Sequence, residues 1–313
     1  MVIQVIENPN FLGELFILSK TNNPYLEMVG GLNGGALRVV SGLEFAEGVY
    51  AVAGAGSQPA LSETDVLTAP ASTDFSRTNS VNTVQYFQRT INVSYPKQSV
   101  PGFVSADPTT GLLDASQPMN VRDEKAFQIE MNLMGITNDV EFVGLRGEYA
   151  QQTAAGVAPK CRGLLPHTAT NVIASTGDLK ADVNKLLKKM VDNRAPLRQC
   201  VILVGAFQKQ QISKQWGYAP MDRNVGGLNL KQLETDFAVL PVLYVPNMDP
   251  SVLEVAEMSV VRPVALPVPG KGILFYEELA KTGASERGQL YGQIGWDNGP
   301  EVFHGKITGL ATA

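Results

Sequence analysis

The chain has 313 residues, of which 44% are hydrophobic and 18% charged, and its formal net charge is -5 at pH 7. This length is enough for one large domain or two, and no run approaches the roughly 20 consecutive apolar residues that a membrane-spanning helix needs. The acidic balance disfavours tight nucleic-acid binding, because that affinity comes mainly from Lys and Arg side chains that neutralise phosphates.

The first 35 residues are predicted to form an arm. Apolar residues indicate one short helix near 11–19, and glycines follow at positions 30, 31, 34 and 35. These glycines lack the Gly-Lys-Ser/Thr of a phosphate-binding loop and the GxGxxG of a dinucleotide site, so we interpret them as a flexible joint. The N-terminus also lacks the basic start and apolar core of a signal peptide, which favours a cytoplasmic protein.

Short alternating segments between residues 36 and 100 surround a low-complexity stretch at 57–80. The clearest strand is TVQYFQRTINVSY (83–95). Its residues are predicted to alternate, with Val84, Tyr86 and Gln88 on one side and Phe87, Arg89, Ile91 and Val93 on the other. We predict a long two-stranded projection here. Two strands alone are marginal in water, and ordering each residue costs about 1–2 kcal/mol, so the projection is expected to order against another subunit.

A long helix is predicted over residues 123–147. Phe127 and Met131 recur at helical spacing, and Asn120 together with Asp123 can cap the first turn. At about 1.5 Å per residue these residues form a rod of roughly 37 Å, about twice the usual length of a globular helix. Such a helix is expected to span a large part of the molecule.

A compact α/β unit is predicted next. The segment 177–196 has an amphipathic helical pattern, and it is followed by the apolar strand QCVILVG (199–205) and a second helix over 206–216. The apolar stripe of the first helix consists of Leu179, Val183, Leu186, Leu187, Met190 and Val191, with Asp178 or Thr176 as its cap.

Strand-rich segments occupy the rest of the chain. Two of them, 239–247 and 252–267, are bounded by prolines. Two more, 287–296 and 301–310, flank a turn at residues 297–299. Compact and extended pieces alternate along the chain, and no linker separates two independent domains.

Cysteine and histidine are too few to indicate catalysis or metal binding. Cys161 and Cys200 have no second Cys or His at ligand spacing, so both are predicted to be buried free thiols. His167 and His304 are the only histidines, and neither has a Ser, Cys or carboxylate at a catalytic spacing. The sequence therefore predicts no catalytic, cofactor-binding or metal-ligating residue.

The charged residues are interpreted as solvated. Acids that border strands, Asp236, Asp249, Glu254 and Glu257, belong to a type of position that is usually exposed to water. The basic run LKKM (187–190) has acidic neighbours on the same segment, which favours an ordinary solvated helix face.

The order of these elements resembles the HK97-like fold of tailed-phage major capsid proteins. That fold has an N-terminal arm, a long β projection, a long spine helix, a compact α/β unit and closing strands. The likeness is strongest in TNSVNTVQYFQRTINVS, in DEKAFQIEMNLMG, in LKADVNKLLKKMVDN with the following VILVGAFQKQQIS, and in the tail FHGKITGL. These are packing patterns rather than catalytic signatures, so the resemblance implies a structural protein and not an enzyme.

The resemblance implies an α+β protein divided into five parts. Residues 1–35 would be the arm, 36–100 the extended loop, 101–175 the peripheral domain with its spine helix at 120–147, 176–265 the axial domain, and 266–313 the return strands of the peripheral domain. Such a protein would assemble into pentamers and hexamers of an icosahedral head that encloses double-stranded DNA without sequence-specific binding.

The resemblance also implies partners and a location. The partners would be further copies of the chain together with scaffolding, portal and decoration proteins, and the location would be the virion after assembly in the host cytoplasm. Some relatives crosslink subunits through a Lys of the extended loop. No lysine lies between Arg38 and Tyr95 and the first is Lys97, which argues against such a crosslink. The chain begins at Met1 directly with the arm, which favours a separate scaffold or none.

Two alternatives remain open. An encapsulin-type nanocompartment shell would share the fold and would need a groove that docks a cargo peptide. An α/β enzyme built around VILVG (201–205) would require a pocket with convergent polar groups beside that strand.

Overall fold

The computed structural model describes residues 23–32, 36–52, 58, 60–68, 72, 74–96, 124–216 and 232–312. Its helices are α1 (Pro24–Met28), α2 (Glu63–Val66), α3 (Glu124–Arg146), α4 (Leu164–His167), α5 (Leu179–Asp192) and α6 (Ala206–Trp216). Its strands are β1 (Arg38–Val39), β2 (Glu44–Tyr50), β3 (Thr78–Thr83), β4 (Gln85–Ser94), β5 (Val172–Ala174), β6 (Cys200–Val204), β7 (Gln232–Glu234), β8 (Val239–Tyr244), β9 (Leu253–Glu257), β10 (Arg262–Ala265), β11 (Leu274–Leu279), β12 (Ser285–Asp297) and β13 (Gly305–Thr308). A short 3-10 helix, Glu301–Phe303, lies between the last two strands.

The first sheet has the strand order β1-β10-β12-β11, and β4 pairs with β12 as its fifth strand. The β4–β12 ladder is antiparallel and runs from Gln85 opposite Ile294 to Ser94 opposite Ser285. The prediction that this strand belongs to a projection is therefore wrong. Pairing along the whole of β4 satisfies the backbone groups on one edge of this strand within its own chain. Its partner lies near the other end of the sequence, where no local pattern points to it.

The predicted alternation is confirmed within β4 but is wrong for Val84, which lies just before the strand and is buried instead of sharing the exposed side of Tyr86. Phe87, Ile91 and Val93 are buried, whereas Tyr86 and Gln88 are exposed. The buried face belongs to the larger of the hydrophobic cores, which fills the space between the first sheet and α3. Period-two burial of this kind is typical of a strand with one face on the core.

The predicted long helix is confirmed as α3, which spans 23 residues and packs across β4 and β12. Ile136 and Val140 are buried on its inner face. Gly144 faces Trp296, and a Cβ atom there would lie 2.5 Å from the indole ring. Only glycine allows this approach, and the indole Nε1 then donates a hydrogen bond to the Val140 carbonyl at 3.0 Å.

The second sheet has the strand order β5-β13-β9-β6-β8-β7 and contains the predicted α/β unit. Every residue of β6 is buried, which confirms the predicted core strand. Two strands belong to a different sheet from the one that the predicted domain boundaries imply. The strand β13, expected among the return strands, joins this sheet, and β10, expected in the axial segment, joins the first sheet. The strands β12 and β13 flank the turn at 297–299 but lie in different sheets.

The amphipathic helix is confirmed as α5. Its buried apolar residues are Leu179, Val183, Leu186, Leu187 and Met190, all in the core of the second sheet. Val191 is 39% exposed and so lies outside the predicted stripe. Asp178 is the cap, since its Oδ1 accepts hydrogen bonds from the backbone N–H groups of Lys180 at 3.1 Å and Ala181 at 3.2 Å.

Truncation of a buried side chain in α5 should destabilise the second sheet. Leu186 is fully buried, so Leu186→Ala is expected to lower the free energy of unfolding by about 3 kcal/mol through lost apolar contact and a residual cavity. Urea unfolding of the dilute protein measures this. Lys188→Ala on the exposed side of the same helix serves as the control, and a loss below about 1 kcal/mol for Leu186→Ala would reject its placement in the core.

The end of the predicted arm belongs to the body. Tyr25, Leu26 and Val29 are buried in the core of the first sheet, and the Tyr25 ring stacks on Trp296 with centroids 5.0 Å apart. Glu141 of α3 accepts hydrogen bonds from the backbone N–H groups of Tyr25 at 3.0 Å and Leu26 at 3.2 Å. Burial raises the pKa of this carboxyl group. The expectation of an arm through residue 35 therefore does not apply to α1.

Several predictions concern residues outside the described ranges. They are the short helix near 11–19, the glycines at 34 and 35, the capping residues Asn120 and Asp123, and Lys97.

Candidate functional site

A two-stranded hairpin formed by β2 and β3 carries the most exposed segment among the described residues. The strands pair antiparallel from Glu44 opposite Thr83 to Tyr50 opposite Thr78, with a bulge before Tyr50. Every described residue between positions 51 and 77 is exposed, and we call these residues the hairpin tip. The predicted two-stranded element is therefore present, but it is shorter than expected and consists of β2 and β3.

Apolar side chains on this hairpin face solvent. The exposed residues are Val49, Val52, Leu61, Val66, Leu67, Phe75 and Val81, of which Leu67 reaches 83% exposure. Scattered single apolar residues are common on protein surfaces, but several on one extended element mark a contact surface. Their burial on a partner would supply the free energy that the hairpin cannot obtain from its own chain.

The short helix α2 within the tip is held by its own cap. The Ser62 hydroxyl accepts a hydrogen bond from the Asp65 backbone N–H at 3.2 Å, and the Asp65 carboxylate accepts one from the Ser62 backbone N–H at 3.0 Å. This reciprocal arrangement is a capping box. Hydrogen bonds from Ser62 lower the pKa of Asp65, so the helix carries an ionised carboxylate.

One buried carboxylate fastens the base of the hairpin to the body. Glu47 Oε1 accepts hydrogen bonds from the backbone N–H and the side-chain amide of Asn298 at 2.9 and 2.8 Å. Glu47 Oε2 accepts one from Arg162 at 3.1 Å and lies 3.5 Å from His167 Nδ1. Glu47 is fully buried, and its partners come from three separate parts of the chain. A buried charge needs partners of this kind to offset its lost hydration.

Asn82 of β3 completes this group, which we call the base cluster: Glu47, Asn82, Arg162, His167 and Asn298. Asn82 Nδ2 donates to the Trp296 carbonyl at 2.8 Å, and its Oδ1 accepts from the Arg162 backbone N–H at 2.8 Å. Each strand of the hairpin therefore contributes one side chain to the base cluster. The sequence carries no signal for this cluster, because its bonds join positions 35 to 251 residues apart and involve no motif.

Close packing also holds the hairpin base. Gly48 has a φ of +57°, in the left-handed region that favours glycine. A Cβ atom at this position would overlap the backbone of Gly299 in the turn after β12. The bulge of β2 and its approach to the turn therefore both require glycine.

The two histidines have structural roles in the same region. His304 Nδ1 accepts a hydrogen bond from the Glu257 backbone N–H at 3.3 Å, which leaves Nε2 to donate to the Asn298 carbonyl at 2.6 Å. His167 Nε2 lies 2.9 Å from the Gly299 carbonyl. The turn at 297–299 is thus connected to β9 through one ring and to α4 through the other.

His304 should make stability depend on pH. Burial lowers its pKa to about 4 from an ordinary value near 6.5, so the unfolded chain takes up this proton at a higher pH than the folded chain. The contribution of His304 to the unfolding free energy is expected to fall by about 3 kcal/mol as the pH is lowered from 6.5 to 4. Urea unfolding of the wild type and of His304→Gln across this range measures the difference, and parallel stability curves would contradict the prediction.

Two of the strand-bordering acids are buried, so the prediction that they are solvated is wrong for them. Burial raises the pKa of Glu254 well above its ordinary value. A hydrogen bond from Thr168 Oγ1 to Glu254 Oε1, at 2.5 Å, lowers this pKa but does not offset the burial. Burial would also raise the pKa of Glu257, but hydrogen bonds from Ser259, from Cys200 and from the backbone lower it. Both carboxyl groups therefore lie in the interior and not on a solvated surface.

The remaining charged residues that were predicted to be solvated are exposed or partly exposed. Asp236 is exposed, whereas Asp249 is partly buried and pairs with Arg146 at 2.9 Å. In the basic run at 187–190, Lys188 is exposed and pairs with Asp192 at 2.9 Å, which confirms the solvated helix face.

Cys161 and Cys200 are buried free thiols, as predicted. Burial raises the pKa of Cys161 to about 12 and also raises that of Cys200, so neither thiol is reactive near neutral pH. Within the described ranges, no group of three or more His, Cys, Asp or Glu side chains is arranged to hold a metal ion. None of the helices in the described part of the chain combines the length and apolar character that crossing a membrane requires.

Comparison with known proteins identifies relatives by family and by fold. A family model described as SU10 major capsid protein matches residues 2–311 of the chain. No protein among the curated sequences matches it significantly.

Several solved structures share the fold. The capsid of a native GTA particle has a TM-score of 0.63 at 12% identity, over 98% of this chain and 96% of that chain. The capsid protein of cyanophage P-SCSP1u has a TM-score of 0.57 at 9% identity, over 98% and 94% of the two chains. The SrpI encapsulin of Synechococcus elongatus has a TM-score of 0.50 at 10% identity, over 88% and 86%. These likenesses confirm the predicted α+β, HK97-like capsid fold.

Proposed function

Because this chain belongs to the SU10 major capsid protein family, we propose that the hairpin tip is the element through which its copies hold one another in the shell. The protein is a structural major capsid protein, it assembles with further copies of itself, and its location is the virion. The exposure of every described tip residue carries the proposal, because several exposed apolar side chains on one extended element mark a surface that a partner covers.

We further propose that the subunits form pentamers and hexamers of an icosahedral head around double-stranded DNA, assembled in the host cytoplasm. A two-sheet body with an exposed hairpin suits a shell in which identical chains occupy different environments. The net charge of -5 supports enclosure without tight binding, because an acidic protein does not hold phosphates strongly. Scaffolding, portal and decoration proteins are proposed as partners on the strength of the family alone.

The predicted domain boundaries become proposals with four changes. We assign the first sheet and α3 to the peripheral domain and the second sheet with α5 and α6 to the axial domain. The extended loop narrows from 36–100 to the β2–β3 hairpin, because β4 pairs with β12. The strand β10 moves to the peripheral domain, and β13 moves to the axial domain. The arm comprises the residues before α1.

The encapsulin alternative is less favoured, because the likeness to SrpI encapsulin rests on the shared fold whereas the family match is to a major capsid protein. The enzyme alternative has no support from the family or from the solved structures.

Electron microscopy of the purified protein tests the proposal. Uniform closed shells are expected, and a preparation that contains only monomers under assembly conditions would contradict it. Nucleic acid inside native particles would distinguish a phage head from a compartment that holds protein cargo.

A further inference from the structure

A groove of about 630 Å³ lies between α1 and the start of β10. Met28, Val29, Met258 and Val261 form its apolar part, and Arg38 and Arg262 lie on its walls. Met28 is 42% exposed and Met258 is half-buried, whereas Val29 and Val261 are buried, so the two methionines are the apolar side chains that an incoming residue can contact. We call this feature the arginine groove.

Among the described residues, the unpaired charge that lines the arginine groove is that of Arg262. Arg262 is exposed and makes no ion pair within the described part of the chain. Arg38 pairs with Asp297 at 2.6 Å, yet 39% of its side chain remains accessible. No carboxylate of the described ranges lines the groove itself. Asp297 pairs with Arg38, and Glu257 accepts hydrogen bonds from Gln199 and Ser259 behind the wall, so Arg262 is the charge that remains for a partner. A segment that is both apolar and acidic is therefore complementary to it.

The hairpin tip contains a segment with this chemistry. Leu61, Val66 and Leu67 are exposed apolar residues at α2, and Glu63 and Asp65 lie between them in sequence. The capping box already fixes the conformation of α2, so docking would immobilise few additional rotatable bonds and would cost little conformational entropy. The carboxylate of Glu63 has no ion pair among the described residues.

The same segment does not occupy the groove of its own chain. Arg38 donates a hydrogen bond to the Ala46 carbonyl at 3.1 Å, which places the groove beside the base of the hairpin. The described residues from 60 to 68 are all exposed. An apolar, acidic segment exposed at one end of the hairpin and an apolar, basic groove at the other can therefore meet only between copies.

We propose that residues 61–67 of one subunit dock in the arginine groove of a second subunit. Leu67 and Val66 pack on the apolar floor, and the acidic residues of α2 face Arg262. This inference rests on the proposed role of the tip in the shell and names the surface that receives it. A contact of this type is heterologous, and repetition around a rotation axis closes it into a ring.

Disulfide trapping tests the contact directly. The variant Leu67→Cys/Met28→Cys places two accessible thiols in a chain whose own cysteines are both buried. Oxidation of assembled shells is expected to produce a ladder of covalent multimers on a non-reducing gel, whereas either single variant gives none beyond the dimer. Leu67→Cys with Val157→Cys, an exposed residue outside the groove, is the matched control pair.

A charge exchange tests the ionic part. Arg262→Glu and Glu63→Arg are each expected to raise the protein concentration needed for assembly by roughly five-fold, and the double variant should recover most of this loss. Lys188→Glu, on the exposed side of α5, is the control for a change of net charge. If shells form normally but the Leu67→Cys/Met28→Cys variant yields no more covalent multimers than the control pair, the groove assignment is wrong and the role of the tip is unaffected. Absence of shells from the wild type would overturn both.

Discussion

Replacement of residues 51–77 by an Asn-Gly turn is expected to abolish closed shells and to leave the subunit folded. Tyr50 and Thr78 face each other across the hairpin, so a two-residue turn can join them with the twist that antiparallel strands require. The described residues that are removed are all exposed, so none of the three hydrophobic cores loses a residue. Size-exclusion chromatography and electron microscopy measure assembly, and circular dichroism with urea unfolding measures the fold.

A second variant separates loss of contact from loss of length. Substitution of Leu61, Val66, Leu67 and Phe75 by Ser keeps the chain length and removes the apolar surface. It should also prevent stable shells, because the free energy of association depends on burying these side chains. Closed shells of unchanged heat stability from either variant would show that the tip does not hold the subunits together.

Glu47→Ala is expected to lower the free energy of unfolding by about 3–5 kcal/mol. The substitution leaves the Arg162 guanidinium and the Asn298 amide without their buried acceptor, and the unpaired groups cost more than the ion pair itself contributes. Urea unfolding measures the loss. Limited proteolysis should also show faster cleavage in the hairpin, because the base cluster no longer ties β2 to the body.

Two further variants sharpen this prediction. Glu44→Ala changes an exposed residue of the same strand and should alter stability by less than about 0.5 kcal/mol. Glu47→Gln retains one acceptor oxygen for Asn298 but presents an amide to Arg162, so its loss should lie between the other two. A Glu47→Ala protein as stable as Glu44→Ala would show that the base cluster contributes no net stability.

Local sequence patterns predicted most of the elements. The spacing of apolar residues along 123–147 and 177–196 matches α3 and α5, and the continuous apolar run at 199–205 matches β6. Period-two alternation correctly separated the buried and exposed faces of β4. Each of these patterns spans at most about 25 residues. Local backbone hydrogen bonds and the burial of one face are enough to determine such an element.

The errors concern residues whose surroundings come from distant parts of the chain. β4 was assigned to a projection because nothing near it in sequence shows that β12 is its partner. Glu254 and Glu257 were interpreted as solvated because carboxylates at strand ends usually are, yet both face the interior of the second sheet. Glu47 and Asn82 carry no local signal at all, since the partners that make their burial favourable lie up to 251 positions away.

The sequence by itself determined the three long helices α3, α5 and α6, most of the strands, which of their faces are apolar, and, through the resemblance, the family. Tertiary structure alone decided that β4 belongs to the body, that the base cluster fastens the hairpin, and that α2 is left exposed with its apolar residues. The physical reason is that periodicity records only whether a residue is buried, whereas strand pairing and the burial of a charge depend on which distant group is brought against it.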